Sequence, residues 1–242
     1  MKKLYSFITI TILGYLGCAD LLYEEKPPVI LWGESYSIET TFILILNNKE
    51  LSGPIPSEIG NLINLTSLNL QGNQLTGPIP PEIGNLINLT SLDLHGNQLT
   101  GPIPPEIGNL TNLTILNFTE NQLTGIIPNE ICNQGDTSPE LGNNQFCLPY
   151  PTCIGQNIGQ QDLNNCSYEL WGESYLVGNT QTLVLSANEL TGPIPPEIGN
   201  LTNLTTLNLK ENQLTGIIPN EICNQGDNSP TLENNQLCPP YP

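Results

Sequence analysis

The chain has 242 residues and a formal net charge of −18, with 23 acidic residues against five basic ones, all of them lysine. Nucleic-acid binding needs a basic surface that displaces counterions, so that class is excluded, and anionic membranes and acidic polysaccharides are poor partners for the same reason. This length accommodates one domain or two small ones.

Residues 1–19 read as an export signal. Lys2 and Lys3 form a positive start, and the run from Leu4 to Leu16 is apolar but too short to span a bilayer. Two cleavages stay open. Gly17-Cys18-Ala19 places small residues for a cut before Asp20. Alternatively, Leu16-Gly17-Cys18 resembles the end of a bacterial lipoprotein box, in which residues 1–17 are removed and Cys18 is lipidated. No later segment is long and apolar enough to cross a membrane. The expected location is secreted or cell-surface.

From Leu51 onward a unit repeats almost letter for letter. Leu51, Leu75, Leu99 and Leu123 stand 24 residues apart, and the unit returns at Leu190 and Leu214. A period of this length predicts a solenoid, in which each unit buries its apolar face against its neighbours. A larger duplication lies over it. Leu31–Tyr36 recurs at Leu170–Tyr175, an offset of 139, and Cys132–Cys147 recurs at Cys223–Cys238, an offset of 91. The two offsets differ by 48, or two units, so two arrays are expected, each with its own start and end. They span 20–147 and 170–242, with a Pro-, Gly-, Gln- and Asn-rich linker over 148–169.

Within one unit, Ser67-Leu68-Asn69 alternates polar and apolar, a short strand with one buried face. Gly77-Pro78-Ile79-Pro80 is extended, because proline removes donors and restricts the residue before it. Pro81-Glu82 then opens a helical turn. Leu65, Leu68, Leu70, Leu75, Ile79, Ile83 and Leu86 point inward. Asn73, Asn97, Asn121, Asn144, Asn188, Asn212 and Asn235 form a column of amides bridging adjacent turns, with Lys49 in that place on the first coil. Glu58, Glu82, Glu106, Glu130, Glu197 and Glu221 form a solvated acidic row. Trp32 and Trp171 are expected as lids over the first coil of each array.

Leu65, Leu68, Leu70, Asn73 and Leu75 spell LxxLxLxxNxL, which resembles the signature of leucine-rich repeats. The continuation Leu75-Thr76-Gly77-Pro78-Ile79-Pro80, with Glu82, Ile83, Gly84 and Leu86, resembles the subtype of plant receptor ectodomains and polygalacturonase inhibitors; similar arrays occur in bacterial surface proteins. The resemblance implies an α/β repeat solenoid, a right-handed superhelix with a parallel concave sheet, short strands and 3-10 turns. It also implies a noncatalytic recognition or adhesion module, with an extracellular protein or glycan as partner on the concave face. The alternative it implies is a secreted inhibitor of a polysaccharide-degrading enzyme, and a hydrolase is the distant third.

The concave stripe carries the candidate ligand-binding residues: Ser67, Asn69 and Gln71; Ser91, Asp93 and His95; Asn117 and Thr119; Thr206, Asn208 and Lys210. Ser91, Asp93 and His95 share one strand face, but Cβ atoms two apart lie ~6–7 Å from each other, which strains a triad hydrogen-bond line, so no catalytic residue is expected. His95 is the only histidine and no CxxC is present, so neither a metal nor a cofactor is expected. Setting Cys18 aside leaves six cysteines, an even number suited to an oxidising compartment. Cys132 and Cys147 are 15 apart, as are Cys223 and Cys238 in matching sequence, so each is expected to pair internally, leaving Cys153 with Cys166.

Overall fold

A computed structural model describes residues 26–154, 158–239 and 242. The export segment 1–19, with Cys18 and its two cleavage readings, lies outside the described residues.

The chain is an α/β repeat solenoid, and one coil shows why it folds. Leu65, Leu68, Leu70, Leu75, Ile83 and Leu86 are fully buried. The strand Ser67–Asn69 pairs in parallel with Ile43–Ile45 on one side and Ser91–Asp93 on the other, and Ile115–Asn117 completes this concave sheet. The register is 24 residues throughout, so equivalent side chains stand in rows. Thr182–Val184 and Thr206–Asn208 form the corresponding sheet further along. A second ladder of short parallel strands, from Ser52–Gly53 to Gln145–Cys147, follows the turn after the asparagine. Each coil then closes through a 3-10 turn such as Pro81–Asn85, entered from an extended proline. These turns stack so tightly that a Cβ at Gly84 would sit 2.5 Å from the Glu106 carbonyl oxygen, which only glycine avoids.

The asparagine column ties the coils together. Asn97 Oδ1 accepts the Leu75 N–H at 3.1 Å, and its Nδ2 donates to the carbonyls of Leu70 and Leu94 at 3.0 Å. Asn73, Asn121, Asn144, Asn212 and Asn235 repeat the pattern. Asn188 does not belong to it. Its side chain is exposed, and its own N–H is capped by Asn212, just as that of Lys49 is capped by Asn73. Both positions open an array, where no earlier coil offers groups for an amide to bridge.

The apolar residues form two clusters. One runs from Val29 to Ile154 and the other from Cys166 to Ile222. Each begins with an antiparallel hairpin, Val29–Leu31 with Glu34–Tyr36 and Ser167–Leu170 with Glu173–Leu176. The Trp-Gly pairs at their turns have positive φ at both residues, 47° and 87° for Trp32 and Gly33, as a tight primed turn requires. Trp32 and Trp171 are partly buried and pack on the two clusters as lids.

Each array ends in a repeated polar staple. Gln134 clasps the backbone of Asp136, whose carboxylate accepts the N–H of Leu116 on the last concave strand at 2.8 Å; Gln225, Asp227 and Leu207 repeat the arrangement.

The disulfides differ from the expected pairing. Cys132 bonds Cys153 and Cys147 bonds Cys166, whereas Cys223 and Cys238 are free and exposed. The expected Cys132–Cys147, Cys223–Cys238 and Cys153–Cys166 pairs therefore do not form. The reason is geometric. Equivalent points on adjacent coils are about one unit apart in sequence, and the observed separations of 21 and 19 residues fit that. Fifteen residues instead carry the chain to a different side of the coil. The segment after Cys147 stacks on the first array as a further turn. Ile154 is buried in the first cluster, and Gln161 takes the asparagine's part, accepting the Phe146 N–H and donating to the carbonyls of Leu141 and Ile158.

Candidate ligand-binding face

The concave sheet of the first array presents a grid of four coils. Its first row is Ile43, Ser67, Ser91 and Ile115, and its second is Ile45, Asn69, Asp93 and Asn117, both fixed by strand register. Asn47, Gln71, His95 and Thr119 follow just beyond the strands. The centre of the grid is polar, and isoleucines about half exposed or more stand on both sides of it, Ile43 and Ile45 on the first coil and Ile115 on the fourth. The 24-residue register places these isoleucines in the same rows as Ser67 and Asn69, but nothing in one sequence marks them as exposed edges of a site.

The second row also serves the scaffold. Asn69, Asp93, Asn117 and Asn208 each accept, through Oδ1, the backbone N–H two residues on, at 3.0–3.1 Å. These turns end each strand, so such positions carry structural duty beside any ligand contact. The amide Nδ2 groups and the second Asp93 oxygen remain available.

His95 is the most connected side chain on the grid. Its Nδ1 lies 2.6 Å from Thr119 Oγ1 and 3.2 Å from the Thr119 carbonyl oxygen. The Thr119 hydroxyl donates to Asn117 Oδ1 at 2.7 Å, so its oxygen is left to accept, and Nδ1 carries the hydrogen. Nε2 faces Glu120 at 3.9 Å, an ion pair only when the ring is protonated. Asp93 spends Oδ1 on the His95 N–H, and no hydrogen bond joins Ser91 to His95 among the described residues. The structure thus brings Asn117, Thr119 and His95 into one connected patch and does not assemble Ser91, Asp93 and His95 as a relay.

On the second array Thr206 is exposed, Asn208 is half-buried, and Lys210 pairs with Glu211 at 3.3 Å. The acidic row stands in the first turns of the 3-10 segments. No cluster of three or more His, Cys, Asp or Glu side chains able to hold a metal occurs among the described residues. No helix among them is long and apolar enough to cross a membrane.

The family model described as Leucine Rich repeats (2 copies) matches residues 63–105, and the single Leucine Rich Repeat model matches 112–134, 179–201 and 203–225. These units are leucine-rich repeats. No curated protein matches the chain. Among solved structures, a chain of the BIR3–SERK2 complex from Arabidopsis thaliana is 29% identical, with 54% of this chain and 70% of that one covered and a TM-score of 0.45. The leucine-rich-repeat ectodomain of the receptor kinase SOBIR1 from the same plant is 31% identical, with 49% and 65% covered and a TM-score of 0.44. A plant ice-binding protein is 27% identical, with 81% and 65% covered and a TM-score of 0.43.

Proposed function

We propose that the protein is a noncatalytic extracellular recognition or adhesion module whose concave faces take a protein or glycan ligand. The observation that carries this reading is the in-register grid of outward donors and acceptors, bracketed by exposed isoleucines. The faces belong to two arrays, over 20–147 and 170–242, joined by 148–169. Export is supported by the two disulfides, which persist in oxidising compartments.

The size of the grid narrows the ligand. Four strands ~4.8 Å apart and two steps of two residues along each give a patch of roughly 14 by 13 Å. That is about a quarter of the ~800 Å² per partner of a standard stable protein interface. The grid also lacks the Tyr, Trp and Arg anchors that dominate tight interfaces. Both facts favour an oligosaccharide or a short extended peptide segment over a broad protein face.

The test is a glycan array and a pull-down of secreted proteins with the mature chain, repeated with an Asp93→Asn/His95→Gln double variant. Asn at 93 keeps the strand-ending turn, so the variant changes the face and not the fold. Binding should weaken by about tenfold or more, the loss of one good charged or polar contact. Binding indifferent to every concave substitution overturns the reading. So does hydrolytic turnover of a bound glycan that vanishes in the variant. Capture of a polysaccharide-degrading enzyme with loss of its activity would specify the inhibitor instead.

A further inference from the structure

The joint between the two apolar clusters holds a cleft that lies off the concave sheet. One wall is the end of the second ladder. There Gln122–Ile126 pairs in parallel with Gln145–Cys147, in the register Thr124 with Gln145 and Ile126 with Cys147. Alternate residues of a strand share a face, so these four side chains stand together as a square. The other wall is the start of the second array. Cys147 is bonded to Cys166, and Asn165 and Ser167, on either side of that cysteine, line the far side of the cleft. The cleft measures about 390 Å³, within the ~300–1,000 Å³ of small-molecule sites. The disulfide ties one wall to the other, so the shape is set before anything binds.

Its chemistry differs from that of the surrounding surface. The chain carries a net charge of −18, yet no acidic or basic side chain lines this cleft among the described residues. Gln145 Oε1 accepts from Asn165 Nδ2 at 3.3 Å, which braces the walls and leaves Gln145 Nε2 as a donor and Asn165 Oδ1 as an acceptor. The hydroxyls of Thr124 and Ser167 make no hydrogen bond among the described residues, and Ile126 is 56% exposed. Tyr168 also borders the cleft, but its hydroxyl is already bonded to the Leu148 carbonyl. A peptide strand would need an open strand edge, and Gln145–Cys147 does not offer one. Its middle residue, Phe146, donates its N–H to Gln161 Oε1, and its carbonyl accepts from the Tyr150 hydroxyl.

We propose that this cleft binds a neutral sugar, one hexose unit of a glycan, at a site separate from the concave grid and independent of it. Ile126 and the Cys147–Cys166 sulfurs meet the C–H face of the ring. The amides of Gln145 and Asn165, with the Thr124 and Ser167 hydroxyls, meet the ring hydroxyls, which both donate and accept. A carboxylate or ammonium would be desolvated here with no opposite charge beside it.

The test titrates the intact, oxidised and isotope-labelled protein with methyl β-glucoside, methyl β-galactoside and methyl α-mannoside. Glucuronate, glucosamine and triglycine are the controls. With at least one neutral sugar, the side-chain amide signals of Gln145 and Asn165 should shift with a dissociation constant on the order of 1 mM, while those of Asn69 and Asn117 stay in place. The controls should bind about tenfold more weakly or less. Thr124→Val/Ser167→Ala removes two hydroxyls from residues that are not buried and should weaken sugar binding about tenfold. Shifts confined to the concave amides would seat the sugar on the grid and overturn the cleft while leaving the concave reading intact. Controls that bind as well as the sugars, binding indifferent to the double variant, or no neutral sugar bound overturns the proposal equally.

Discussion

Asn97 and Asn188 occupy the same letter of the repeat and do opposite amounts of work. Asn97 is buried and satisfies three backbone groups on two coils. Asn97→Ala orphans those groups in a dry interior and should cost about 3 kcal/mol, since unsatisfied buried groups cost ~1–3 kcal/mol each and part of that is relieved by relaxation or water. Asn188 is exposed, and Asn188→Ala should fall within about 0.5 kcal/mol of the parent. Urea midpoints of the two variants, side by side, check the contrast; equal effects would mean the ladder is not what holds the coils in register. Asn88 and Asn112, each opening an Asn-Leu-Thr triplet that fits the Asn-x-Ser/Thr glycan-acceptor pattern, show the same economy. Asn88 and Asn112 donate through Nδ2 to the carbonyls of Ile63 and Ile87 on the preceding coil, so a letter pattern that reads as a glycan acceptor is occupied by scaffold.

At the scale of the element, most of the coil was legible. Period 24 assigned the buried leucines, the extended proline run and the acidic 3-10 entry, because each depends on local residue chemistry repeated in phase. The disulfides were not legible. Pairing depends on which coil stacks over which, and the segment after Cys147 carries no copy of the repeat to announce that it continues the stack. Gln161 could have served as the signal, an amide placed among small and polar residues, but one amide in a Gln- and Asn-rich stretch stands out little. The concave residues were placed on the right face, while the strand-ending turns of Asn69, Asp93 and Asn117 depend on side-chain direction that alternation alone does not give. The end staple allows a direct check. Asp227→Ala removes the carboxylate that caps the Leu207 N–H at the end of the second sheet, and should cost about 1–3 kcal/mol by orphaning a charge-assisted bond. Hydrogen exchange at Leu207 should rise well above that at Leu183 in the same variant.

For the molecule as a whole, both disulfides converge on one joint. Cys132–Cys153 and Cys147–Cys166 fasten the residues between the two apolar clusters, and residues 170–242 contain no disulfide of their own. Mild reduction should therefore expose 148–166 to protease first, with both arrays surviving as resistant fragments; cleavage starting within either array would contradict this. The joint also carries the largest tyrosine shift among the described residues. Tyr168 donates to the Leu148 carbonyl, and burial, helped by Tyr150, pushes its pKa from the ordinary 10 up to about 12. The folded state holds this proton more tightly than the unfolded state. The contribution to stability is intact below pH 10 and lost as the pH rises through about 12. Tyr168→Phe should flatten that part of the alkaline decline, read as urea midpoints between pH 9 and 12.

The paired staples, Gln134 with Asp136 and Gln225 with Asp227, reach back no further than the coil before them, where each carboxylate caps the last concave strand. Neither can sense how many turns precede it. Array length is therefore a quantised variable, altered in steps of one exon-like module without revising either terminus, and each step widens the sheet by about 4.8 Å. A chain built this way behaves as a molecular ruler, whose reach evolution can lengthen or shorten by copying and deletion before it tunes any single contact.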